Sequence, residues 1–353
     1  MEIREATQND NEALLELQEK CPMGIDFVVS VDSSPDYFAR SRPLQNWHVF
    51  VAVENQRIIG SIASTIDTRF IQGKPTKTAF LYGMMVDPTK RHIGVATQLQ
   101  RHIENYLSKQ KVTLCHLLVM EQNTPSIRLC QKNGFQHIKD SARFSLLVYK
   151  PMKLQNEASI KPITPADAKN VVSTINETYQ DHDFYAPYTE ETFKAYIQRL
   201  PQGNQENILV FKHGENIQAC LGYWDFGQII RDRILKLNRR LKAMTLPIRF
   251  LNLFTKMPEI PNPGETLKQW YLFPMACKDA TALTELVKYV NNLALENNIT
   301  TLVAVQDDQS SIVNVLSRFR NVQTRMHHFA KSLQKTQIPL MKERKLYTDI
   351  TSV

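Results

Sequence analysis

No run of about eighteen apolar residues occurs in the 353-residue chain, so no membrane-crossing helix is expected. The opening residues, MEIREATQND, hold no apolar core of a secretory leader. Cysteine is scarce: Cys21, Cys115, Cys130, Cys220 and Cys277 are scattered, odd in number, and form no C-x-x-C. That pattern argues against a disulfide framework and predicts reduced thiols in a cytoplasmic protein. The nine histidines contain no H-E-x-x-H, and no metal is expected. Charge is also unevenly supplied. The net charge is +8, yet residues 229–257 hold eight Lys or Arg (Arg231, Arg233, Lys236, Arg239, Arg240, Lys242, Arg249, Lys256) against one acid, Asp232. Elsewhere the chain is nearly neutral, so general nucleic-acid binding does not follow from the overall charge.

What is present is the composition of a soluble globular protein, 42% apolar and 22% charged, with a length that suggests two domains. The most informative stretch is 81–107, LYGMMVDPTKRHIGVATQLQRHIENYL. Residues 81–86 are a short apolar run closed by Asp87 and Pro88, which suits a buried strand. Beyond Arg91 the apolar positions Val95, Ala96, Leu99, Ile103, Tyr106 and Leu107 form a helical stripe. Between them lies R-x-x-G-x-A: Arg91, His92, Ile93, Gly94, Val95, Ala96. Gly94 lets backbone approach a ligand closely, and a helix start offers unpaired N–H groups and a positive dipole end. A pyrophosphate would suit such a turn. Alone, the hexamer also describes a plain strand-to-helix connection.

The rest of the first 150 residues supplies context. A short strand near Ile3 precedes a helix over 11–20, capped by Thr7 or Asp10. Asp36 opens a short helix. Strands at 48–53 and 57–65 make a hairpin, and a third covers 77–86. Residues 113–120 read as a buried strand. Asn123 or Thr124 caps a helix that stops at Asn133-Gly134. Strands at 135–138 and 143–149 complete one α/β unit.

These motifs resemble the GNAT superfamily of acyl-CoA N-acyltransferases. V-D-P-x-x-R-x-x-G-x-A, from Val86 to Ala96, is similar to its pyrophosphate loop. N-x-x-S-x-x-L-x-x-K-x-G-F, from Asn123 to Phe135, is similar to its second motif, and I-R-x-A-T-x-x-D, from Ile3 to Asp10, to its opening strand and helix. The resemblance implies acetyl-CoA lying between two splayed parallel strands, 81–86 and 113–120. Its pantetheine would pair with backbone at Met84, Met85 and Val86. Arg91, His92, Ile93, Gly94, Val95 and Ala96 would hold the pyrophosphate, with Asn123 and Ser126 beside the cofactor's arm. Many members carry a proton-donating Tyr where this chain has Cys130, which could donate or simply fill space. Glu121, at the end of a strand, is the candidate base; Asp87 and Asp26 are others, Asp87 also being a turn former, and water could relay the proton instead.

After a polar linker at 151–158 the opening pattern returns: Ile160, Lys161, Thr164 and Asp167 copy Ile3, Arg4, Thr7 and Asp10 at a constant offset. Residues 159–353 therefore read as a second copy of the fold. Its loop, from Lys278 to Leu283, has no Gly and carries Asp279, so this copy is read as degenerate for the cofactor and as shaping the acceptor site. Residues 179–185, YQDHDFY, are read as a surface loop with an aromatic anchor or as a border of the acceptor. The basic insertion, 229–262, is read as an amphipathic helix with the stripe Ile230, Ile234, Leu237, Leu241 and Met244. Packing on its own domain is favoured for it over a membrane surface or RNA.

The expected fold is α/β: two tandem GNAT-like units, each a mixed, mostly antiparallel twisted sheet flanked by helices. The expected activity is transfer of an acetyl group from acetyl-CoA to an amine of a small molecule or peptide. Asp26, Asp32 and Asp36 hint at a cationic acceptor. The alternative is a non-catalytic acyl-CoA-binding protein, or one associated with a membrane or RNA.

Overall fold

The computed structural model describes residues 1–201, 203–252, 254–258, 260–334 and 343–348. Local chemistry sets the first elements. After β1 (Glu2–Glu5), the Asp10 carboxylate accepts from the Thr7 N–H at 2.7 Å and the Thr7 hydroxyl at 3.1 Å. Arg4 grips the same carboxylate at 2.7 and 2.8 Å. This cap launches α1 (Asn11–Glu19), which buries Leu14 and Leu17. After β2 (Phe27–Asp32), the strands β3 (Trp47–Glu54), β4 (Arg57–Ile71) and β5 (Lys74–Val86) form an antiparallel meander. In α2 (Val95–Lys109) the stripe Val95, Leu99, Ile103 and Leu107 is buried on β3, β4 and β5. β6 (Leu114–Met120) runs parallel to β5, and α3 (Thr124–Lys132) starts at its Asn123 cap. β7 (Gln136–Leu147) is one strand, where two were expected. Neighbours pair with it along its length, which carries it through the polar residues between.

The same cap recurs after β8 (Ile160–Pro162). Asp167 accepts from Thr164, and Lys212 takes the place of Arg4 at 2.6 Å. It launches α4 (Ala168–Tyr179), followed by β9 (His182–Asp183), α5 (Glu190–Arg199), β10 (Ile208–His213) and β11 (Asn216–Trp224). β12 (Arg231–Leu237) and α6 (Arg239–Leu251) come next, then β13 (Gln269–Cys277), α7 (Ala280–Glu296), β14 (Thr301–Asp307), α8 (Ser311–Leu316), β15 (Asn321–Ser332) and β16 (Lys345–Leu346).

Twelve strands share one mixed sheet in the order β1-β3-β4-β5-β6-β15-β7-β14-β13-β11-β10-β8. The two halves exchange strands at its centre. β7, from the first half, pairs with β14 and puts Phe144 and Leu146 into the core of the second. β15, from the second half, pairs with β6 and puts Phe329 beside Leu99 and Cys115 in the core of the first.

Two local expectations are corrected. Residues 230–237 are not the start of an amphipathic helix. Arg231–Leu237 is a strand that pairs antiparallel with β2, and the alternation of Ile234 and Leu237 inward with Arg233, Leu235 and Lys236 outward, broken by a bulge, gives it a buried and an open side. Met244, expected on the packed stripe, is exposed. Leu246, Arg249 and Leu253 of the same segment lie outside the residues or side chains described. Residues 179–185 are not a surface loop: Tyr179, His182, Asp183, Phe184 and Tyr185 are buried. Asp183 accepts from the Gln72 N–H at 2.7 Å and from Arg344 at 3.0 Å, which ties this segment to the first half.

The exchange couples the cores. Phe144→Ala is expected to cost about 3–5 kcal/mol in chemical denaturation, with both halves losing stability in one transition. The hydrogen bonds from Arg4, with those from Thr7, hold Asp10 down to about 2, against an ordinary 3.8. A lowered folded-state value stabilises above the unfolded one and is lost as pH falls through the folded one. Asp10→Asn should therefore cost up to about 2 kcal/mol at neutral pH. In urea titrations that difference should shrink between pH of about 4 and about 2.

Candidate active site

β5 and β6 pair in parallel at only three positions: Thr78 with Leu114, Ala79 with Cys115, and Phe80 with His116. Beyond Phe80, β5 stays with β4 as far as Val86, while β6 stays with β15 as far as Met120. The two strands thus open into a V whose apex is Phe80 and His116. The edge of residues 81–86 faces the gap and includes Met84, Met85 and Val86. Gly83 adopts φ +63° at a register shift in this wall, a bulge that bends the strand. The sequence reading passed over Gly83, although a lone Gly inside a strand pattern is a bulge signal.

At the open end, Asp87 caps the turn after β5, accepting from the Thr89 N–H at 2.9 Å. That contact is the turn-forming role expected for it. Arg91 donates through Nε to the Val86 carbonyl at 3.2 Å, and the Cys21 thiol donates to the same oxygen at 3.4 Å. His92 has φ +65° and Gly94 φ +93°; Arg91, His92, Ile93 and Gly94 are exposed. Gly94 ends this loop as the cap of α2, and Val95 and Ala96 begin the helix. Its first turn offers N–H groups that lack intrahelical partners, at the positive end of its dipole. The space beside Gly94 is open, with no atom within 4 Å of an added Cβ. An anion can seat there.

Across the V, Asn123 accepts from the Ser126 N–H at 3.3 Å as the α3 cap, and Ser126 is half-buried. Glu121 is exposed at the far end of β6, with its N–H on the Arg325 carbonyl at 3.0 Å. That places it at the open end and not at the apex. Cys130 is buried within the apolar cluster of Leu99 and Phe135, and burial pushes its thiol up to about 12. A thiol held there is a weaker acid than an ordinary one near about 8.5, so donation to a leaving thiolate runs uphill. The site favours packing for Cys130.

The apex opens on a cavity of about 210 Å³. Phe80, His116, Leu118 and His328 line one side, Phe184 and Tyr188 the other. The sequence reading missed His116. Its ring stacks on Phe184 with centroids 4.2 Å apart and meets Phe80 at 5.2 Å. Burial, with the charges of His328 and Arg69, holds its pKa well below the ordinary 6.5, so the imidazole is neutral. His328 is pushed down to about 3, chiefly by burial, and its Nε2 lies 2.7 Å from the Ser141 hydroxyl. The acids that hinted at a cationic acceptor are placed otherwise. Asp32 pairs with Arg231 at 3.0 Å and Asp36 with Arg42 at 2.5 Å, while Asp26 is exposed.

Among the described residues, His137, Asp140 and His327 bring metal-ligating atoms together on β7 and β15. Asp140 Oδ1 lies 2.6 and 2.7 Å from the two imidazoles, and Arg325 stands 3.9 Å from its other oxygen. Asp140 thus joins the two imidazoles through hydrogen bonds.

Residues 11–135 match the family model described as Acetyltransferase (GNAT) family. Over that segment the chain is GNAT-like in sequence. The GNAT match contains the V, the loop at 91–94 and α3. Solved structures extend the likeness of fold to almost the whole chain. N-myristoyltransferase of Saccharomyces cerevisiae with bound myristoyl-CoA shares 13% identity at a TM-score of 0.63, covering 98% of this chain and 84% of that one. A GCN5-related N-acetyltransferase from Sphaerobacter thermophilus shares 12% at 0.60, covering 94% and 96%. No curated protein matched by sequence.

The thiols of this chain should separate by burial. Cys21 and Cys277 are half-buried, whereas Cys115, Cys130 and Cys220 are buried. Under a mild alkylating agent, mass spectrometry should find the first two labelled in the native protein and the other three only after unfolding. Native-state labelling of Cys130 would return it to the list of reactive groups.

Proposed function

We propose that this protein is an N-acetyltransferase that moves an acetyl group from acetyl-CoA to an amine of a small molecule or peptide. Acyl transfer from an acyl-CoA is the activity of the family matched; the acetyl donor and the acceptor class are the finer reading. The observation that carries it is the V between β5 and β6, closed at one end by a cavity and flanked at the other by the left-handed loop at Gly94.

In this reading the pyrophosphate sits on the first turn of α2, with Arg91, His92, Ile93, Gly94, Val95 and Ala96 around it. The peptide-like pantetheine adds to the open strand edge at Met84, Met85 and Val86, as an extended ligand adds to a sheet. Asn123 and Ser126 border it from α3. From Val86 to Phe80 the strand runs about 20 Å, enough to bring an extended arm to the apex. There strand N–H groups polarise the thioester carbonyl. The acceptor amine attacks it as the free base. Water relays the proton that the amine loses on forming the C–N bond to the sulfur as the C–S bond breaks, in a pocket where burial keeps the His116 imidazole neutral. Amide and free thiol are the products.

The second half is proposed to be silent toward the cofactor. Its corresponding helix, α7, is capped by Asp279, whose carboxylate accepts from the Thr281 N–H at 2.8 Å. A carboxylate there repels a pyrophosphate. A protein that binds acyl-CoA without turnover is the second reading, favoured by the burial of Cys130 where relatives place a proton donor. The boundaries 1–150 and 159–353, the linker 151–158 and cytoplasmic residence belong to the same proposal.

Calorimetric titration with acetyl-CoA should give one site per chain, and Gly94→Glu should weaken it at least about a hundredfold with thermal unfolding still cooperative. Two sites would overturn the silent second half. Binding with no turnover across a panel of amines would select the second reading. Tighter binding of a long-chain acyl-CoA would replace acetyl as the donor.

A further inference from the structure

The exposed large apolar side chains are not spread over the molecule. Among the described residues eleven are exposed, and seven of them belong to the flap formed by the paired strands β2 and β12, α6, which follows β12 directly, and the residues flanking them. The helix explains why. Leu241, Thr245, Ile248 and Asn252 recur at helical spacing and are half-buried, so this stripe faces inward. The outward face would ordinarily be polar. Instead Met244 is 52% exposed and Phe250 62%, with Leu251 beside them, and Phe254, in the turn just past the helix, is 78% exposed. The Phe250 and Phe254 rings touch at 5.6 Å. The strand adds Leu235, and the approach to β2 adds Met23 and Ile25 on the neighbouring turn.

The same surface carries the chain's excess positive charge. Arg233, Lys236, Arg239, Arg240, Lys242 and Lys256 are exposed, and none has an ion-pair partner among the described residues. Arg231 alone is neutralised, by Asp32 at 3.0 Å. An apolar patch rimmed by unpaired bases marks an interaction surface. Its amphipathic helix has apolar groups long enough to enter the acyl boundary and bases placed to meet anionic headgroups. RNA would satisfy the bases, but it leaves Met244, Leu251, Leu235 and Ile25 in water, since nucleobases stack on aromatic faces.

We propose that the β2–β12–α6 flap is a docking surface for an anionic lipid bilayer. The flap binds in the plane of the membrane and does not cross it; no helix among the described residues is long and apolar enough to do so. Its position gives the docking a consequence. Cys21, just before the flap's first strand, contacts the Val86 carbonyl at the open end of the V. A docked protein therefore holds the mouth of the V beside the bilayer. This surface does not depend on the acetyl-transfer reading.

The full-length protein would be pelleted with vesicles of phosphatidylcholine alone and with added phosphatidylglycerol, at low and high salt. Binding should need the anionic lipid and weaken with salt. Phe250→Ser with Phe254→Ser, and separately Arg239→Glu with Arg240→Glu and Lys242→Glu, should each reduce it at least about tenfold. All five side chains are exposed, so the thermal midpoint should not move. Absence of binding to anionic vesicles would overturn the proposal. So would binding that survives the Phe substitutions, or tighter binding of an RNA oligonucleotide than of vesicles.

Discussion

β5 and β6 hold each other for three residue pairs and then part, and the candidate site follows from that. The separation is forced from both sides. β4 keeps β5 in register through the bulge at Gly83, and β15 keeps β6 in register to its last residue. Each strand satisfies one edge elsewhere, so the facing edges are left with backbone groups that seek partners. A peptide-like arm can supply them. The strand that holds β6 comes from the other half of the chain. The first half thus contains the loop and both walls of the V, but what holds β6 away from β5 belongs to the second.

That exchange also explains why the half without a counterpart of the Gly94 loop matters. Phe329 from β15 lies in the first core, and Phe144 from β7 lies in the second. Residues 179–188 cross in the same direction: Phe184 stacks on His116, and Asp183 accepts from the Gln72 backbone. The cavity at the apex is walled by both halves. Its chemistry is set by burial, which disfavours the protonated form of His116 and His328 and keeps both imidazoles neutral.

The flap follows a different logic. Its inner stripe packs as any surface helix does, while its outer face combines apolar and basic groups that are exposed among the described residues. Such a face costs solubility unless a partner takes it up.

Much of this was legible in the sequence because it is local. The capping pair Thr7 and Asp10, its copy at Thr164 and Asp167, the turn at Asp87, the stripe of α2 and the Asn123 cap all lie within a few residues of their partners. Spacing alone fixes them. The resemblance carried by the segments from Val86 to Ala96 and from Asn123 to Phe135 likewise rests on contiguous residues. What the tertiary structure decided is non-local. The sequence reading missed His116, because its position at the apex depends on where β5 and β6 stop pairing. It misjudged residues 230–237, because β2, two hundred residues away, turns a plausible helical stripe into a strand. It left the exchange of β7 and β15 unseen, because two strands of similar pattern can take either neighbour until the long-range pairing is made.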